Sequence, residues 1–399
     1  MESCILTSPV LYFRKYFNKV RVTGVDQKKI TNIEVKKRNR NEVFRYICKQ
    51  ETVSNPEISY QLKISLPTAT QITKELLAEG LLEEKGELQS TGGRRAKALS
   101  AVVNARLAVG LDITKNHMTM ALTNIVGEIL KYERISKPYV SGESYYRQAS
   151  ETLETFLEES GVDKGKILGV GISFPGIIDV EQEMITYSHI LGVEAVPFDA
   201  VSAFFSYPCY FINDANAGAY AEGFHGDGAE HFFYLSLSNT VGGAIFDGQE
   251  LIQGRNFRCG EVGHMTVVID GENCYCQKRG CLDAYCAAWH LSDAADGNLE
   301  RFFALLDQGD AEAAKIWDSY TDYLAIAVNN IHMLLDCDIV LGGYVGSHMG
   351  THLQELWNKV AVRNTFGEKE PFVKACNYKV AAAALGAALK VIETFVSQI

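Results

Sequence analysis

Residues 261–283 read EVGHMTVVIDGENCYCQKRGCLD, and the fold is decided by how this stretch is read. His264, Cys274, Cys276 and Cys281 follow one another as H-x9-C-x-C-x4-C. Thiolates and imidazole are the preferred donors of a closed tetrahedral zinc site. Cys259 and Cys286 flank the run, so five of the 10 cysteines fall in one short window. No signal peptide is expected, because Met1–Val20 mixes Leu11, Tyr12 and Phe13 with Arg14, Lys15 and Lys19 and lacks a long apolar core. In such a chain clustered cysteines favour metal over disulfides. Free thiols around an unrelated histidine are the competing reading. Cys4, Cys48, Cys209, Cys337 and Cys376 stand apart and read as ordinary buried or surface thiols.

On either side of this run the pattern is α/β. Leu107–Asp112, Met118–Leu122 and Ile129–Arg134 read as strands, with a turn at Val126-Gly127. Glu143–Glu159 reads as an amphipathic helix and Ile167–Phe174 as an apolar strand ending in Pro175-Gly176. Tyr210–Ile212 is a further strand, followed by Asn213-Asp214 and a small-residue helix, Ala215–Glu222. The βββ opening recurs at Phe232–Leu237, Gly243–Phe246 and Glu250–Ile252. Two similar halves with a cleft between them suit a small-molecule site at the strand ends.

The N-terminal part reads differently. Asn41–Lys49 carries Val43, Phe44, Ile47 and Cys48 on one helical face. Ser54 and Asn55 are candidate caps for a helix opening at Pro56, and Ser65 for a third running to Gly80. Short helix, tight turn and second helix is the spacing of a helix-turn-helix. On the third helix Thr68, Thr70, Gln71 and Lys74 face outward, suited to base edges or phosphates. A hairpin is expected over Leu81–Leu88, followed by a wing tip whose Arg94 and Arg95 reach DNA; a solvated turn is the alternative.

Charge divides the chain in the same place. Met1–Arg106 holds 19 Lys and Arg against 11 Asp and Glu; the remainder holds 19 against 38. A basic head on an acidic body suits a DNA-binding module joined to a sensor or enzyme. No stretch is read as approaching a membrane span of about 20 apolar residues.

In order, Pro175-Gly176, Asn213-Asp214-Ala215-Asn216, Glu261-Val262-Gly263-His264, the cysteine run and Gly342-Gly343 make the chain resemble the ROK family (repressors, open reading frames and sugar kinases), and within it the xylose-repressor-like regulators. The resemblance implies an N-terminal winged helix-turn-helix followed by a two-lobed, actin-like (ribonuclease H-like) sugar-kinase-like domain. The boundaries expected are an extension over 1–23, the head over 24–104 and the ROK domain over 105–399. The resemblance carries a structural zinc onto His264, Cys274, Cys276 and Cys281, and sugar binding onto Asn213, Asp214, Glu261, His264 and Asp283. One ring nitrogen of His264 would hold metal while the other faces sugar. Asp283 is one methylene shorter than the family's usual Glu. Ser188–Leu191 stands where the family has an Asn after Pro-Gly, with His189 a candidate pocket residue or a structural histidine.

In the family's kinases Asp214 would be the general base. Their phosphate loops are altered here: D-x-G-G-T-K reads Asp112-Ile113-Thr114-Lys115-Asn116-His117, the second loop reads Ser238–Ala244, and the third reads Gly342-Gly343-Tyr344. Side chains at these positions would crowd phosphates. The expectation is therefore a non-catalytic, cytoplasmic repressor that binds operator DNA, responds to a sugar or sugar phosphate, and works as a dimer or dimer of dimers away from any membrane. The alternative is an ATP-dependent sugar kinase of ROK hexokinase type with an appended head. A zinc-stabilised regulator with a protein partner is the third reading.

Overall fold

A computed structural model describes residues 32–87, 96–225, 231–248 and 250–399. Helix α1 (Asn32–Cys48) buries Val43, Phe44 and Ile47. It starts nine residues before the expected Asn41. The apolar face is confined to its second half. The polar first half is held by ion pairs: Lys36 Nζ and Arg40 Nη1 reach Glu75 at 2.9 and 3.2 Å, and Arg38 pairs with Glu42 one turn on.

Ser54 caps α2 (Asn55–Gln61), its Oγ accepting the Glu57 N–H at 3.4 Å. Ser65 caps α3 (Leu66–Ala78), its Oγ accepting the Thr68 N–H at 3.2 Å. Proline sits in the first turn of both helices, where its missing N–H costs nothing. β1 (Leu82–Glu87) pairs antiparallel with β2 (Lys97–Ala101). The stretch expected as a hairpin is therefore one strand, and its partner lies beyond residues 88–95. Gly86, at φ 103°, marks an irregularity in register between Glu84 and Glu87 and not a turn. Val53 and Leu99 exchange backbone hydrogen bonds at 2.9 and 2.8 Å, tying the loop before α2 to this ribbon.

The first lobe is built on β3 (Leu107–Ile113), β4 (His117–Asn124), β5 (Ile129–Ser136), α4 (Glu143–Ser160) and β6 (Ile167–Phe174). A small antiparallel sheet follows, β7 (Ile177–Asp179), β8 (Met184–Ser188) and β9 (Val193–Pro197), then the turn α5 (Asp199–Ser202). β10 (Cys209–Asn213) closes the main sheet, and α6 (Asp214–Gly223) leads to the second lobe. There the order is β11 (His231–Leu237), β12 (Val241–Asp247), β13 (Glu250–Ile252), α7 (Asp283–Cys286), α8 (Trp289–Ser292), α9 (Leu299–Asp307) and α10 (Ala311–Leu335). It ends in β14 (Asp338–Gly342), α11 (Gly343–Gly346), α12 (Leu353–Ala361), β15 (Val373–Ala375) and α13 (Ala382–Gln398).

The two main sheets have the same topology, β10-β6-β3-β4-β5 and β13-β12-β11-β14-β15. In each, the first three strands in sequence are antiparallel and the next two join in parallel. Each lobe has its own core, centred on Leu111, Met120, Phe156, Ile172 and Phe174 in the first and on Phe233, Leu235, Trp317, Leu324 and Val328 in the second.

Helices α6 and α13 join the lobes. Their small residues let backbones touch: a Cβ at Gly386 would lie 1.8 Å from the Ala217 carbonyl oxygen. α13 also packs on β3 and β6, and its far end carries Val391, Ile392 and Val396 into the core around α1–α3. Arg45 of α1 pairs there with Glu393, and Asn41 Nδ2 donates to the Ser397 carbonyl at 3.3 Å. Contrary to the sequence expectation, Lys379–Gln398 is long and apolar enough to cross a membrane by composition. Its apolar residues, including Leu385, Leu389 and Val391, are instead buried between the sheets and the N-terminal helices.

Candidate functional site

The ligand atoms of His264, Cys274, Cys276 and Cys281 lie within 4.8 Å of one another. Cys274 Sγ is 3.8 Å from His264 Nδ1, and Cys276 Sγ is 3.7 Å from Cys281 Sγ. Edges of about 3.6–3.8 Å are those of a tetrahedron with metal–ligand bonds near 2.0–2.3 Å. The donor set and its dimensions therefore fit one tetrahedral ion. The loop is bent for this by Gly280, at φ 77°, where a Cβ would lie 1.7 Å from the Val268 carbonyl oxygen. Cys286 is fully buried and its Sγ meets the Tyr320 carbonyl at 3.8 Å; Cys259 stays outside the cluster.

The second nitrogen of His264 does not face open space. Its Nε2 is 3.1 Å from the Tyr275 hydroxyl. The Tyr275 ring stacks on His189 with centroids 4.1 Å apart and planes 9° from parallel. His189 is exposed, and its Nδ1 is 3.3 Å from the Tyr187 hydroxyl.

The carboxylates gather beside this. Burial pushes Asp214 up to about 7, and the charges of Asp112 and Glu261 add to the rise. Burial pushes Asp112 up to about 6, opposed by the Ser173 hydroxyl donating to it at 2.8 Å. Burial likewise pushes Asp283 up to about 6, opposed by the Val241 N–H donating to it at 2.5 Å. The charges of Asp283 and Glu261 also reach Tyr275, whose hydroxyl meets His264. Asn213 is committed internally. Its Oδ1 caps α6 by accepting the Asn216 N–H at 3.0 Å, and its Nδ2 donates to the Gly176 carbonyl at 2.9 Å and to Asp214 Oδ1 at 3.0 Å. It thereby fixes the Pro175-Gly176 bend against Asp214.

Asp112 and Asp214 line a cleft between the lobes. At its far side, the turn that should hold phosphate is closed on itself. Thr114 Oγ1 and the Thr114 N–H both meet the His117 carbonyl, at 2.9 and 3.0 Å. Tyr344, from the second lobe, reaches Thr114 and Arg134 of the first, and the Arg134 guanidinium lies 5.2 Å from its ring centroid. Sequence reasoning named Asp112 and Tyr344 only as altered loop positions and passed over Tyr275. The signal for Asp112 was present, as the one acid in an otherwise fully apolar strand, buried throughout.

On α3, Thr70, Gln71 and Lys74 are exposed. Gln71 Nε2 donates to Glu75 at 3.0 Å, and Thr68 is half-buried, its hydroxyl 2.7 Å from that of the capping Ser65. Arg94 and Arg95 lie outside the described residues.

A model of the ROK family matches residues 108–394. A xylose repressor of Bacillus subtilis (strain 168) is 27% identical over 85% of this chain and 85% of its own length. The DNA-binding transcriptional dual regulator NagC of Escherichia coli (strain K12) is 26% identical over 82% of this chain and 80% of its own. A solved ROK family transcriptional regulator, a homolog of the E. coli MLC protein, shares the fold at 20% identity, with a TM-score of 0.73 over 92% of this chain and 100% of that one.

Proposed function

The chain belongs to the ROK family, and from that premise we propose that it is a sugar-responsive transcriptional repressor, non-catalytic and working in the cytoplasm as a dimer or dimer of dimers. The head, over residues 24–104, is a winged helix-turn-helix that reads operator DNA. The α2–turn–α3 unit and the ribbon β1–β2 support this, with Thr70, Gln71 and Lys74 exposed on α3. Thr68 adds to the helix cap, and Arg94 and Arg95, outside the described residues, are further DNA contacts in this reading. The remainder, 105–399, is the sensor.

His264, Cys274, Cys276 and Cys281 hold a structural zinc. When bound, the ion supplies folding energy and fixes the loop; it takes no part in a reaction. That loop presents Glu261 and Asp283 to the cleft. Together with Asp214 they form a set of acceptors for sugar hydroxyls, held in place by Asn213.

One observation carries the choice of sensor over kinase. Asp112 and Asp214 still line the cleft, while on the phosphate side the Tyr344 side chain stands where the kinases have glycine and reaches Thr114 and Arg134. A kinase needs backbone donors around nucleotide phosphates, and here the Thr114 N–H is bonded within its own hairpin. Asp214 is then an acceptor for bound sugar and not a general base.

Sugar binding reaches the head through packed helices. Asp214 opens α6, α6 touches α13 backbone to backbone, and α13 ends in the core of the head. Closing the cleft on sugar shifts α6 and α13, and with them the spacing of paired heads, which must match half-sites about 34 Å apart.

A thermal-shift screen tests this reading. D-xylose or N-acetyl-D-glucosamine should raise the melting temperature, and ATP with magnesium should not. A shift with ATP would return the kinase to first place.

A further inference from the structure

Tyr275 and His189 come from different lobes. Tyr275 lies in the metal-binding loop, which is packed on β12 of the second lobe; His189 lies in the turn between β8 and β9, a sheet buried against the first-lobe core. Their rings meet face to face across the cleft, at 4.1 Å and 9°. No core packing calls for this contact, since His189 is exposed and Tyr275 only half-buried. Aromatic pairs of this kind contribute beyond the area they cover.

The Tyr275 hydroxyl is placed with equal economy. It lies 3.1 Å from Nε2 of His264, whose Nδ1 faces Cys274. It is close enough to Asp283 and Glu261 to feel both charges. An imidazole held at Nδ1 has only Nε2 left for a ligand, and here Tyr275 has taken it. A phenol hydroxyl both donates and accepts, so it can pass that contact on to a further hydroxyl.

We propose that Tyr275 is a specificity-determining contact of the sugar pocket, offering its hydroxyl to a hydroxyl of a free aldose in place of the His264 imidazole, and that His189 holds it there only when the lobes are closed. This rests on the sugar-sensing reading. It makes affinity for the sugar and closure of the cleft one event: the open form loses the stack, and with it the fixed position of the Tyr275 hydroxyl.

The test is calorimetric titration of D-xylose and N-acetyl-D-glucosamine into the full chain and into Tyr275→Phe, His189→Ala and the double variant, with metal content measured on each. The sugar that binds the parent should bind Tyr275→Phe about five- to tenfold more weakly, the loss of one hydrogen bond. It should bind His189→Ala about threefold more weakly, and the double variant should lose less than the product of the two. Metal content should stay at one ion per chain throughout, which separates loss of a contact from loss of the loop. If Tyr275→Phe fails to fold, His189→Ala carries the test alone, because that residue is exposed. Parent affinity in both single variants would overturn the proposal while leaving the sensor intact. Failure of the parent to bind either sugar while binding ATP would overturn the sensor reading itself.

Discussion

Replacing Gly386 by Ala probes the joint on which the account depends. The added Cβ would lie 1.8 Å from the Ala217 carbonyl oxygen, where ordinary contact begins at 3.4 Å. Helices α6 and α13 must therefore part by about 1.6 Å in a region packed like a crystal. Overpacking of this severity costs about 3 kcal/mol. Alanine regains about 1 kcal/mol over glycine within a helix, so the net loss is about 2 kcal/mol. With an unfolding entropy of about 2 cal/mol/K per residue, the melting temperature should fall by roughly 2–3 °C. Gly350→Ala is the control, since a Cβ there meets nothing within 4 Å and its backbone is ordinary. Scanning calorimetry of the three proteins decides the matter. A Gly386→Ala protein that melts with or above the parent would refute the close-packed joint. So would a Gly350→Ala protein that falls as far.

Three further predictions concern charge, metal and DNA. The native Asp214 carboxyl, at about 7, keeps a proton that the unfolded chain releases near pH 4, so stability should fall as pH rises through that window and level off above it. Asp214→Asn should lose part of this fall between about pH 4 and pH 7, and an unchanged fall would contradict the assigned burial. Cys281→Ser should purify with less than one zinc per chain and melt below the parent, and a chelator should move the parent toward the same value; full occupancy in the variant would remove Cys281 from the ligand set. Lys74→Ala should weaken DNA binding across sequences and lower the salt dependence by about one ion, whereas an unchanged slope would take α3 off the phosphate backbone.

Much of the fold was legible because its signals are local. Ser54, Ser65, Pro56 and Pro67 mark helix starts, and strands apolar but for one residue, such as Leu107–Ile113, stand out by composition. The repeated βββ opening disclosed two similar lobes. What escaped depends on partners distant in sequence. The polar half of α1 is helical because Lys36 and Arg40 find Glu75 on another helix. β1 finds its partner beyond residues 88–95, and β7–β9 are too short to show a period. α13 reads like a membrane span until both its faces are seen covered.

The metal cluster was legible for the same reason as the caps: three of its four ligands lie within eight residues. The pocket was only half legible. Nothing in the sequence places Tyr275 between His264 and His189, because that contact crosses the cleft. Tyr344 is similar, as its meeting with Thr114 and Arg134 also bridges the lobes.

The most direct test of the central claim is fluorescence anisotropy of the full chain on a labelled duplex from upstream of its own coding sequence, with D-xylose or N-acetyl-D-glucosamine added at fixed salt. Specific binding that one of these sugars weakens at least tenfold is expected, a coupling of about 1.4 kcal/mol. Specific binding that neither sugar alters, or no specific binding to the duplex, would contradict it.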